Sequence, residues 1–130
     1  AGADRLYSYI EHQMSKQKSP ASKFETWIRC VLAQAADPVV AEPTRAVLWN
    51  AAAVSDRRRR DQADVNARLA GLLHPALESL GAPDPVRDAT AITATVFTLL
   101  QQYLSDRIQP TKNDIDHVIG FCKNAVQAGA

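Results

Sequence analysis

Seventeen consecutive residues without a charge, Ala89 to Ser105 (ATAITATVFTLLQQYLS), constrain this chain more than any other stretch. A lone surface helix carries charge on its outer face, so a helix here is expected to be covered on nearly every side. At helical spacing, Ile92, Val96, Leu99 and Tyr103 form one apolar stripe, with Phe97, Leu100 and Leu104 forming a second beside it. The remaining face holds Ala91, Ala94, Thr95 and Thr98, small enough for another helix to approach closely. A membrane span is the rival explanation. It fails because four threonines and two glutamines interrupt the run and no basic cluster flanks it.

A second helix follows directly. Thr111 and Asp114 match a capping box, with Pro110 closing the turn before them. Ile115, Val118, Ile119, Cys122 and Val126 then share a face, with Asp116, Lys123 and Asn124 away from it. The pair reads as one long helix, a tight break, and a second helix packed back against the first. Two such helices can bury their faces within one chain or supply half of a four-helix interface with a symmetry mate. The second arrangement is favoured, because the long helix has more apolar face than one neighbour covers.

Upstream, helix starts recur. Asp4 to Gln17 places Leu6, Ile10 and Met14 on one face, with Tyr9 close to it. Ser19-Pro20 supplies an N-cap and a first-turn proline for a helix to about Ala36 that buries Phe24, Trp27, Ile28, Val31 and Leu32. Asp37-Pro38 and Glu42-Pro43 repeat the signal, predicting a short turn at 38–41 and a helix at 43–54 that buries Val47, Leu48, Trp49 and Ala52. Ser55 or Asp56 opens a further helix that carries Val65, Leu69, Leu72, Leu73, Ala76, Leu77 and Leu80 and stops at Gly81. Pro75 inside that pattern clashes with the carbonyl of Gly71, predicting a kink between them. Asp84-Pro85 opens the long uncharged helix. No period-two alternation bounded by hairpin turns survives. The expected fold is all-α, an antiparallel bundle of about six helices in a single domain spanning residues 1–130.

Composition agrees and narrows the function. Hydrophobic residues make up 46% of the 130 but aromatic ones only 6%, an aliphatic, alanine-rich balance that suits helices. A net charge of +1 gives no bulk argument for nucleic-acid binding. Cys30 and Cys122 both fall on apolar stripes, too few for a disulfide framework and best read as buried thiols in a reducing compartment. With no signal peptide or lipidation motif, the cytoplasm is the expected location. The chain opens at Ala1 without a methionine, as a fragment or processed product would.

Catalytic signals are missing: there is no Gly-x-Ser-x-Gly elbow, glycine-rich phosphate loop or Cys-x-x-Cys. Glu42, Asp88 and Asp106 are isolated carboxylates, and His12, His74 and His117 lie far apart with no metal-ligand spacing. The run Arg57 to Arg60 is flanked by Asp56 and Asp61 at a helix start, and a solvated, locally neutralised turn explains it better than phosphate binding. Neither an enzyme nor a bound cofactor or metal is expected.

Three features taken in order carry a resemblance. A helix ending at Leu80-Gly81 is followed by Ala82-Pro83-Asp84-Pro85 and a long uncharged helix containing Val96-Phe97. Pro110-Thr111 then leads into Asp114-Ile115-Asp116-His117-Val118 and Phe121-Cys122. This resembles the C-terminal regulatory domain of tetracycline-repressor-like (TetR family) transcription regulators over about Pro20 to Ala128. The resemblance rests on helix order and dispersed residues rather than on an invariant motif. It implies a homodimer joined by the last two long helices as a four-helix bundle. It also implies a small, often apolar effector among the preceding helices, and DNA-binding heads of which no residue here is part. Operator DNA would be met only through a domain absent from this chain.

On that basis the expected dimer interface is Ile92, Val96, Leu99, Tyr103, Ile115, Val118, Ile119 and Cys122. The expected effector contacts are Trp27 and Cys30, one turn apart, Trp49 and Asn50 on the next helix, Leu69, Leu72 and Leu73 at the kink, and Phe97, Gln101 and Leu104 on the long helix. For any one of these residues, ordinary core packing is the simpler explanation. A stand-alone helical adaptor module is the alternative function.

Overall fold

Local capping chemistry sets most of the helix boundaries. The computed structural model describes residues 2–35 and 56–127, and among them every regular element is a helix. These are α1 (Gly2–Ser15), α2 (Pro20–Ala33), α3 (Asp56–Gly71), α4 (His74–Ser79), α5 (Pro85–Asp106) and α6 (Lys112–Gln127). The predicted turn at 38–41 and helix at 43–54, with Trp49 and Asn50, lie outside the described residues.

Ser19 caps α2 by accepting from the Ser22 backbone N–H at 3.0 Å, with Pro20 in the first turn, where its missing N–H costs nothing. Asp84 does the same for α5, accepting from Arg87 N at 3.2 Å, while Asp88 reaches back to accept from Asp84 N. At α6 the capping box closes reciprocally. Asp114 N donates to Thr111 Oγ1 at 3.1 Å and Thr111 N donates to Asp114 Oδ2 at 2.8 Å.

At the predicted kink the helix breaks outright. The chain leaves α3 at Gly71, makes tight bonds from Leu72 N to Leu69 O and from Leu73 N to Ala70 O, and restarts as α4. Pro75 thus sits in the first turn of a new helix, where it lacks no needed donor, rather than bending an old one. α4 ends in a Schellman motif: Ala82 N reaches Leu77 O and Gly81 N reaches Glu78 O, with Gly81 at φ 80°. A Cβ built on Gly81 would meet nothing within 4 Å, so the cost of a side chain there is purely backbone. Gly81→Ala is expected to lower stability by about 1 kcal/mol, read as a shifted urea midpoint with an unchanged slope.

The core is organised around α2, not around the last two helices. Phe24, Trp27, Ile28, Val31 and Leu32 are all fully buried, and α2 packs against α1, α4, α5 and α6. The buried side of α5 is covered by α2, α3 and α4 together. α6 was expected to fold back on α5, but it lies mainly along α2 and meets α5 only lightly. Two ion pairs mark the antiparallel register: Arg29 Nη2 to Asp116 Oδ1 at 2.8 Å, and Lys123 Nζ to Glu25 Oε1 at 3.4 Å. The Arg29 hydrogen bond holds the Asp116 carboxyl below the usual carboxylate range.

α1 lies on α2 through Ile10 and Met14. Tyr9, expected near that face, is exposed, and Tyr7 is half-buried in its place beneath the Arg68 guanidinium, 4.7 Å from the ring centroid. Arg68 also bonds Asp4 at 3.0 Å, and so ties α3 to the start of α1. No described helix is long and apolar enough to cross a membrane.

Candidate functional site

The Trp27 indole gives the clearest fixed point in the interior. Its Nε1–H donates to the Leu69 carbonyl at 3.0 Å, and its ring meets Phe97 edge-on, with centroids 6.4 Å apart at 73°. Leu69 lies in the last turn of α3, where helical carbonyls have no partner four residues on. Trp27 therefore satisfies the polar end of the broken helix while its apolar body fills the core. The geometry ties α2, the α3–α4 break and α5 together at one place.

Of the effector contacts expected from sequence, Trp27, Cys30, Leu69, Leu73, Phe97 and Leu104 belong to one contiguous buried cluster, with Leu72 half-buried at its edge. Trp49 and Asn50 lie outside the described residues. Gln101 departs from the expectation and is exposed. A step of four residues overshoots a helical turn by about 40°, which carries Gln101 past the rim that still covers Phe97. The buried side of α5 runs through Ala89, Ile92, Thr93, Val96, Phe97, Leu100 and Leu104.

Thr93 is not among the contacts expected from sequence. It is 3% exposed, and its Oγ1 has no hydrogen-bond partner among the described residues. Its spacing of four from Phe97 would have placed it on the inward stripe.

The residues expected at a dimer interface are distributed differently. Ile92, Val96, Val118, Ile119 and Cys122 are buried in the chain's own core and keep almost no area for a second copy. Leu99, Tyr103 and Ile115 are half-buried. The causes are the cover of α2, α3 and α4 over the inner side of α5, and the docking of α6 on α2, which takes up the apolar stripe of α6 within the chain. Burial and then the Asp114 carboxylate raise the Tyr103 hydroxyl above its ordinary value. On α5 the outward face consists of Thr90, Ala91, Ala94, Thr95, Thr98, Gln101 and Gln102, all exposed and none charged. Within a single chain the long helix is thus covered on one side only. On α6 the large apolar side chain left in solvent is Phe121, 61% exposed.

Both thiols are free and buried. Burial pushes Cys30 above its ordinary value and Cys122 up to about 11. Neither is a nucleophile near neutral pH. Labelling with an aromatic disulfide reagent at pH 8 should proceed only as fast as the fold opens, and both thiols should react at once in denaturing urea. Immediate labelling of the folded chain would contradict this burial. No group of three or more metal-ligating side chains occurs among the described residues.

No protein-family model matches this chain, and neither a curated protein nor a solved structure matches it.

Proposed function

We propose that the chain is the effector-sensing and homodimerising domain of a TetR-like transcription regulator, whose DNA-binding head lies outside it. One observation carries most of the weight: the outward face of α5 from Thr90 to Gln102 is solvent-exposed, free of charge and lined with small residues. A helix exposed to water along one side ordinarily shows charge there. A face of alanines and threonines instead lets a second helix come close, and the back-bonds from Thr90 to Val86 O and from Thr95 to Ala91 O keep those hydroxyls satisfied without water. The interface proposed is therefore this outer face, rather than the Ile92–Val96 stripe now buried inside. The Trp27–Phe97 contact beside the α3–α4 break supports an interior that an apolar effector could remodel, because two short helical segments can shift where one continuous helix could not.

Sedimentation equilibrium tests the dimer directly. The chain is expected at twice its 14.2 kDa mass, and Ala94→Glu, which puts a carboxylate on the exposed face, is expected to sediment as a monomer with unchanged helical content. A monomer at every concentration for the unaltered chain would defeat the dimer and favour the adaptor module. Regulation is tested in the intact regulator by linkage: effector affinity must differ between the free and operator-bound forms. Equal affinities would remove the sensing role.

A further inference from the structure

A hydroxyl without a partner inside an aliphatic core calls for an explanation. Thr93 is 3% exposed, its Oγ1 has no partner among the described residues, and it stands on the buried side of α5 one turn from Phe97. Threonines on this helix have an easy remedy, a back-bond to the carbonyl four residues earlier. Thr90 and Thr95 both take it, at 3.1 Å and 2.8 Å, although both are exposed and have water available. Thr93, the buried one, has the greatest need of that bond and does not make it. Valine has nearly the same volume and would fill the position without a polar atom to satisfy. The helices over this side of α5 are α2, α3 and α4, two of them the halves of the broken helix.

Resting on the sensing reading, we infer that Thr93 Oγ1 is the polar anchor of the effector site. The ligand class it selects is an apolar small molecule bearing one hydroxyl or carbonyl group. The ligand's apolar body would lie against the buried face of α5, and its single polar group would bond the Thr93 hydroxyl. An apolar site with one well-placed polar group is how small hydrophobic ligands are oriented. A bound polar group satisfies the orphaned hydroxyl, whereas an equally shaped hydrocarbon leaves it unpaired. Discrimination therefore comes from the buried group itself.

Thr93→Val tests this, with phenol and toluene as probes of similar shape that differ in one hydroxyl. Melting is followed by circular dichroism and binding by calorimetry. Thr93→Val is expected to fold and to melt about 3–8 °C higher, because it deletes an unsatisfied buried group. Phenol is expected to bind the unaltered chain roughly two- to twelve-fold more tightly than the variant, the range for one neutral hydrogen bond, while toluene binds both alike. A variant that melts at the same or a lower temperature would mean that the hydroxyl is satisfied in solution, overturning the inference. Equal phenol affinity for both chains would overturn the anchor while leaving a binding site, and with it the sensing reading, in place. Binding of neither probe to either chain would remove the site from this part of the core. The sensing role would then be judged by operator linkage alone.

Discussion

Trp27→Ala is expected to cost ~3–5 kcal/mol, the range for deleting a fully buried aromatic side chain. Domains of this size hold only about 5–15 kcal/mol in total, so the variant should be partly unfolded at 37 °C. The large effect follows from position: Trp27 is fully buried on the helix that touches four others, stacks edge-on with Phe97 and bonds the end of α3. Trp27→Phe separates the contributions. It keeps most of the apolar contact and loses only the bond to Leu69 O, a carbonyl that also accepts from Leu72 N. Its cost should be roughly 1 kcal/mol for the hydrogen bond, plus a share for the smaller ring. Urea melts of the three proteins would decide the matter, and an alanine variant within about 1 kcal/mol of the parent would show that α2 is not the centre of the core.

The second large effect contrasts two neighbouring positions on α5. Val96 is fully buried in the hydrophobic cluster, and Val96→Glu would force a carboxylate among apolar side chains. An unpaired buried charge costs ~3–5 kcal/mol, so this variant should lose its cooperative melt or show a much lower midpoint. Ala94→Glu, two residues earlier on the exposed side, should leave the stability of the single chain within about 0.5 kcal/mol of the parent, as surface substitutions do. The comparison is made at a concentration where both chains are monomers. If Ala94→Glu proved as damaging as Val96→Glu, the orientation of α5 in the fold would be wrong.

Several helix boundaries were legible in the sequence because they are set by chemistry within a few residues. Ser19-Pro20, Asp84-Pro85, the Thr111–Asp114 box and Gly81 all act where their spacing placed them. The inward stripes were legible for the same reason, since helical period alone assigns Phe24, Trp27 and Ile28 to one side. Partner choice was not. An apolar stripe states that it will be covered without naming the cover, so Val118, Ile119 and Cys122 fitted α5 or a second copy as well as they fitted α2. The charges did hold a clue, because Glu25 and Arg29 stand opposite Lys123 and Asp116 in antiparallel order. Pro75 shows a different limit. Proline disrupts a helix through one lost donor and one clash, and the chain removed both by ending the helix at Gly71 and beginning again. Thr93 does not stand out in the sequence because threonine is tolerated on either side of a helix, and only burial combined with the unmade bond distinguishes it.

The docking of α6 on α2 also dictates the order in which the protein can be assembled. α1 and α2 are neighbours in the chain and can close on each other as soon as both are made. The bonds that seat α6 join residues 87 and 98 positions apart, Arg29 with Asp116 and Glu25 with Lys123. On a ribosome the central helix therefore emerges early and waits with one flank bare until Lys112–Gln127 has followed. Over that interval, the flank of α2 that carries Glu25 and Arg29 is the surface on which a chaperone would find its hold, or a second nascent chain its mistake.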